Sequence, residues 1–398
     1  MKRIGNRVGI LFAEAVCVVL LITFTGCRHN ADMRHLPVIH ITTDSKIPWE
    51  GKVSCAVTVV TGTDSTVWDG KIKFRGGVSA KYYKHSYSLK FNEKHSLCDL
   101  PSNRSWILNA SYIDKTFMRH KLCYDLFNMM GDYDLAPLCA YALVRENGDP
   151  KGLYVIMQRL NKQSLHLNPK DTAAVIFKEP KIFYSNDQLP SPTLFDENYQ
   201  GQAYPDYDKG DRSYLMDDLR TFITQTPDQD FYVKVGEVFD LQNIIDWHLL
   251  LLFTNGGDGV KKNFYLYRKD SQSPYRIALW DCDHSFGRDG DNEKNMLERL
   301  LDDRQNILLD RLLKSTDYQQ ALKKRYHELR DSGIFSYENI EKMMRENDKW
   351  IRLGLDENTM LWPFDSEDYF DSAGYDEEYA LILEFVKKSI ERMDTLMR

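Results

Sequence analysis

Short alternating runs rich in Val, Thr, Tyr and Phe up to about residue 165, then apolar residues at helical spacing from about residue 213, predict an α+β protein. The β-rich half comes first and the α-rich half second. One hairpin pattern, Phe264–Arg268 with Tyr275–Trp280, interrupts the helices, and no repeat or linker-like stretch divides the chain into independent domains.

The first residues stand apart from this pattern. Lys2, Arg3 and Arg7 precede an apolar run from Val8 to Thr25, which ends FTGC at Cys27. A basic start, a short apolar core and small residues form an export signal. The ending resembles a bacterial lipobox, which implies cleavage before Cys27, a lipid on its thiol and a membrane-anchored place in the cell envelope. The alternative, a transmembrane anchor, needs a run this one barely reaches. Both readings put the rest outside the cytoplasm. Residues 1–26 are then the signal, 27–45 a polar tether, and 46–398 the folded domain: a β-rich lobe over 46–165, an insertion or lid over 166–212 and an α-rich lobe over 213–398.

Within the first lobe, CAVTVV, KIKFRG and HSYSLKF are the clearest strands, and YALVREN and GLYVIMQ flank the turn NGDPKG as a hairpin. Asp114 is expected to cap a helix through Met130 that also carries Arg119. Residues 168–212 carry many Pro, Asp, Asn and Tyr and little periodicity. Helices are expected at 213–225, 240–254, 293–314, 317–331, 336–353 and 376–397.

A formal charge of −7 with no long basic run argues against nucleic acid as the partner. Of seven cysteines, Cys17 leaves with the signal and Cys27 carries lipid. The remaining five show no zinc or redox spacing and read as small buried hydrophobes, with room for one disulfide.

The chemistry gathers around the hairpin. WDCDHSFG places Asp281 and Asp283 directly after an apolar run. Carboxylates at a strand end are often turn formers. In extended backbone, however, residues two apart point the same way, so the pair can present oxygens to one hard cation. If the two runs pair, Asn263 lies opposite the end of the second strand, and Asp258, Asn263, Asp281 and Asp283 converge on one rim. Asp258 and Asn263 also stand as D-x-x-x-x-N, the spacing with which protein kinases place a base for the acceptor hydroxyl and an Asn on magnesium. Upstream, Arg75-Gly76-Gly77 sits between two strands, where small residues let backbone amides approach phosphate oxygens. Lys84 and Lys90, an even number of residues apart, share one side of the next strand, and one of the two is expected to neutralise phosphates.

The segments KIKFRGGVSAKYYKHSYSLKF, WILNASYIDKTFMRHKLCYDLF, GLYVIMQRLNK and NGGDGVKKNFYLYR…WDCDHSFG resemble, in order, the successive blocks of the CotH family of atypical protein kinases. The resemblance implies a two-lobed kinase-like fold that binds ATP with magnesium and phosphorylates Ser or Thr of secreted or surface proteins. It implies that Asp258 is the catalytic aspartate, that Asn263 and Asp283 are metal ligands with Asp281 beside them, and that Gln158, where the family often has Glu, pairs with the ATP lysine or contacts the nucleotide. A catalytically weak surface scaffold with the same fold, binding a protein or glycan, is the alternative. A metal-dependent phosphoesterase is disfavoured, because the His/Asp clusters of two-metal hydrolysis are missing.

Overall fold

A computed structural model describes residues 35–185, 201–289, 296–364 and 371–398. The expected signal, the lipid-bearing Cys27 and the start of the tether lie outside the described residues. Among the described residues, no helix is long and apolar enough to cross a membrane.

The fold is α+β, with a β-rich N-terminal lobe and a helical C-terminal lobe. Seven strands close a barrel in the order β1-β2-β3-β4-β5-β7-β6. They are β1 Val38–Thr42, β2 Val53–Thr61, β3 Asp64–Arg75, β4 Ser86–His95, β5 Asn103–Asn109, β6 Cys139–Glu146 and β7 Asp149–Gln158. Period-2 alternation sends Ile39, Val57, Ile72, Leu89, Trp106 and Ile156 into the barrel core. Closure depends on β1, which pairs antiparallel with β2 and parallel with β6. That strand lies in the segment expected to be a patternless tether, so the folded domain begins before residue 46. A short VIHIT run between polar stretches gains its partners only from strands distant in sequence.

Between β5 and β6 the helix α1 spans Arg119–Met130, starting five residues later than expected from Asp114. Asp114 still serves that end of the helix, because its Oδ2 accepts from Arg119 N–H at 2.9 Å. Neither residue is on the surface: Asp114 and Arg119 are 2% and 1% exposed and pair at 2.7 Å.

After β7 the expected insertion supplies two strands, β8 Val175–Lys178 and β9 Gln202–Tyr204. With β10 Phe264–Arg268 and β11 Tyr275–Leu279 they form a second sheet in the order β11-β10-β8-β9, so the isolated hairpin becomes part of a four-stranded sheet. The helices that follow β9 are α2 Ser213–Gln225, α3 Asp228–Val238, α4 Leu241–Thr254, α5 Ile307–Leu312, α6 Thr316–Asp331, α7 Tyr337–Leu361 and α8 Tyr375–Leu396. The long helix expected over 293–314 is instead the short α5, entered through Asn306, whose Oδ1 accepts from the Leu308 and Leu309 amides at 2.9 and 3.1 Å. The five cysteines from Cys55 to Cys282 are all free thiols, so the disulfide for which the sequence left room is not formed.

Candidate active site

Helix α4 ends at Asn255, a left-handed residue with φ 54°, and the chain turns through Gly257–Val260 before entering β10. This turn carries Asp258 to the cleft between the lobes. Its Oδ2 lies 2.8 Å from Lys262 Nζ and 3.4 Å from His284 Nδ1. The pairing Phe264↔Leu279 sets Asn263 beside the exit of β11, and Asn263 Nδ2 donates to Asp281 O at 2.8 Å. Its Oδ1 stays available to a cation. Asp281 (φ 52°) takes the chain through a left-handed kink after β11, with its N–H donating to Tyr124 Oη of α1 at 2.9 Å. Burial, then the neighbouring Asp281 carboxylate, raises the affinity of Asp283 for its proton. Two crowded carboxylates and an oriented amide oxygen are a donor set that suits a hard divalent cation.

The roof of the same cleft is the loop after β3. A cavity of about 180 Å³ is lined by Arg75, Gly76, Gly77 and Lys84 above and by Asp258, Asn263, Asp281 and Asp283 below. Gly76 has φ 150°, and a Cβ there would stand 2.6 Å from Ser79 Oγ, so only glycine lets the loop fold this tightly. Asp258, Asn263, Asp281 and Asp283, expected on one rim, line one cavity, and Arg75, Gly76, Gly77 and Lys84 of the other lobe line it with them.

Two expected ligands sit elsewhere. Gln158 and Lys90 line a larger cavity of about 1010 Å³ beyond the cleft, and Gln158 Nε2 is committed to Pro101 O at 2.5 Å. The strand register explains the relation of the two spaces: Ser86 and Asn109 border the smaller one, and Lys90 and Ser105, four residues along on the same faces of β4 and β5, border the larger. They lie along one strip of sheet, ~13 Å apart. Lys84, although it lines the cleft, points its amine into protein. Nζ donates to Ala110 O at 2.9 Å, to Asn358 Oδ1 at 2.8 Å and to Leu153 O. Burial without a carboxylate partner lowers its pKa well below the usual lysine value. The amine expected to neutralise phosphates is thus held by three protein acceptors, one of them brought by α7 from far off in sequence.

The sequence reading missed two histidines. His284, next to Asp283 in WDCDHSFG, flanks Asp258. His120, on the first turn of α1, has a ring nitrogen within 4.8 Å of oxygens of both Asp281 and Asp283, a spacing that fits a metal site. The ring argues otherwise. Its Nδ1 accepts from Cys282 N–H at 2.9 Å, and its Nε2 lies 3.1 Å from Asn109 Nδ2, so both ring nitrogens already face polar groups of the protein. His120 instead fixes the Asp281–Asp283 turn against α1. Behind that turn, Arg119 Nε donates to Ser285 O at 3.1 Å, and Arg119 Nη2 reaches Glu378 of α8 at 2.9 Å. Arg288 meets the same glutamate through Nε at 3.1 Å.

A barrel lobe over a helical lobe, with D-x4-N and D-x-D on the floor of the cleft between them, defines a two-lobed, kinase-like protein. The family model for CotH kinase protein matches residues 72–393, and the chain belongs to that family. It is 23% identical over 323 residues to the inner spore coat protein H of Bacillus subtilis (strain 168), covering 80% of this chain and 84% of that one. Among solved structures, the Helicobacter pylori proinflammatory kinase CtkA aligns over 78% of this chain and 94% of its own at 11% identity, with a TM-score of 0.29. That likeness is too slight to bear on the site.

Proposed function

We propose that the protein is a magnesium-dependent kinase that transfers the ATP γ-phosphate to Ser or Thr of a secreted or surface protein. The observation that carries this reading is the convergence of Asp258, Asn263, Asp281 and Asp283 under the Arg75-Gly76-Gly77 loop in one cleft. Bound ATP and its metal supply the phosphoryl group and neutralise the charge that develops on it. The chain supplies position. Asp258 accepts the proton of the acceptor hydroxyl, with Lys262 and His284 holding its carboxylate in place. Asn263 Oδ1 and the carboxylates of Asp281 and Asp283 would hold the metal, and the Gly76–Gly77 backbone and the Arg75 guanidinium would face the phosphates. That the acceptor is secreted or surface-exposed rests on the export signal read in residues 2–27.

Thermal unfolding tests the site. ATP and magnesium together should raise the midpoint by binding linkage, about 2.7 kcal/mol of stabilisation at a hundredfold excess over Kd, and neither should do so alone. Asp283→Ala should abolish the rise. A wild-type protein that shows no rise with ATP and any divalent cation would favour the scaffold reading.

A further inference from the structure

The outer face of the barrel beside the cleft carries a row of lysines, with Asp69 at its far end and Asp206 near Lys90. Along β3, Lys71, Lys73 and Arg75 alternate with buried Gly70 and Ile72, so all three point outward, and the row ends at Asp69. On β4, Lys90 stands directly opposite Lys71 and Ser88 opposite Lys73. Lys52, one residue before β2, joins the row by donating from Nζ to Ser88 Oγ at 3.1 Å. Like charges directly opposite on neighbouring strands destabilise a sheet. Among the described residues, none of Lys52, Lys71, Lys73 and Lys90 forms an ion pair with a carboxylate. The strain registers on Lys52, whose amine is brought down to about 8 by burial, then by Arg159, Lys90 and Lys73.

A nucleotide in the cleft does not relieve this repulsion. All the charge of ATP is on its phosphates, which the proposed site holds at the Arg75 end, whereas Lys71 and Lys90 lie four residues along, ~13 Å away. The spacing itself describes a better ligand. Side chains on one face of an extended peptide recur every ~6.8 Å, as do those of Lys71, Lys73 and Arg75 on their strand. The row runs from open surface at Lys71 to the wall of the cleft that contains Asp258.

We propose that Lys71 and Lys73, with Lys52 and Lys90 beside them, dock an extended acidic segment of the acceptor protein, with Asp or Glu at alternate positions leading towards the Arg75 end of the cleft and the hydroxyl that is phosphorylated. The proposal rests on the phosphotransfer reading for its direction but not for the binding itself.

The test is fluorescence anisotropy of a labelled peptide, a serine followed by Glu at alternate positions, titrated with the full chain without nucleotide. Glu→Gln and Glu→Lys versions serve as controls. The acidic peptide should bind at least about tenfold more tightly than either, with affinity falling as salt rises. K71E/K73E should remove that preference while leaving the ATP-dependent thermal shift intact. Lys71→Ala, at an exposed position, gives a milder loss if the double variant does not fold. Equal binding of the three peptides, or no effect of either substitution, overturns the proposal. So does loss of the ATP shift in a folded K71E/K73E protein, since the row would then belong to the nucleotide. Failure of the kinase reading looks different: the wild type shows no ATP shift while acidic-peptide binding persists.

Discussion

Asp134 is a carboxyl group buried against another one. It is 2% exposed, accepts from Asn243 Nδ2 at 2.8 Å, and shares a hydrogen bond with Asp246, whose own charge is held by Arg325 Nε at 2.7 Å. Burial, then Asp246, pushes the Asp134 carboxyl up to about 9. An unfolded aspartate titrates near ~4, so over that window the folded chain keeps a proton that the unfolded chain releases. The stability tied to this group is full below the unfolded value and is lost as pH rises through the folded one. Asp134→Asn keeps a donor for Asp246 and removes the proton. Its unfolding midpoint should fall less than that of wild type between pH 5 and 9, and parallel profiles would show that Asp134 is ionised in the fold. Single residues of this kind were not legible in the sequence. The spacings D-x4-N and D-x-D were, because they lie at the ends of one hairpin, whereas Asp134, Lys84 and Arg119 each take a partner from a helix more than a hundred positions away.

Helix α7 shows what an element contributes beyond its own pattern. It spans 25 residues and leans its last turns on the β6–β7 hairpin of the other lobe. Arg145 and Glu357 pair twice at 2.6 Å, Trp362 Nε1 donates to Lys151 O at 3.0 Å, and Asn358 Oδ1 accepts from both Lys84 Nζ and Leu153 N–H. Gly152, at φ 84°, permits the approach, since a Cβ there would stand 2.7 Å from Asn358 Oδ1. Lys84→Met should therefore act on the fold, costing on the order of 3 kcal/mol by leaving carbonyls unpaired, and should leave the ATP-dependent thermal shift unchanged. A stable Lys84→Met protein that no longer responds to ATP would return Lys84 to the phosphates. Elements with strong periodicity, such as β2–β4, β6–β7, α4 and α8, were readable from the chain. β1, β8 and β9 were not, because such short strands owe their existence to partners distant in sequence, whereas the equally short β10 and β11 sit across one turn from each other.

At the scale of the molecule, two lobes meet along a cleft whose roof is local in sequence and whose floor is local in sequence. Each half was visible in its own motif, and the fold supplies their juxtaposition. Behind the floor, α1 and α8 hold the Asp281–Asp283 turn through His120, Arg119 and Glu378, so the geometry of the site depends on both ends of the domain. In the proposed reaction this cleft moves a phosphoryl group and Asp258 is the base. The most direct measurement compares transfer of labelled γ-phosphate by wild type and Asp258→Asn, alongside ATP affinity. Asn keeps the size of Asp and much of its hydrogen bonding but cannot accept the hydroxyl proton. Transfer should fall by roughly 100-fold or more while ATP affinity barely changes. Transfer by Asp258→Asn at the wild-type rate, or no transfer by wild type with any divalent cation, would contradict the account.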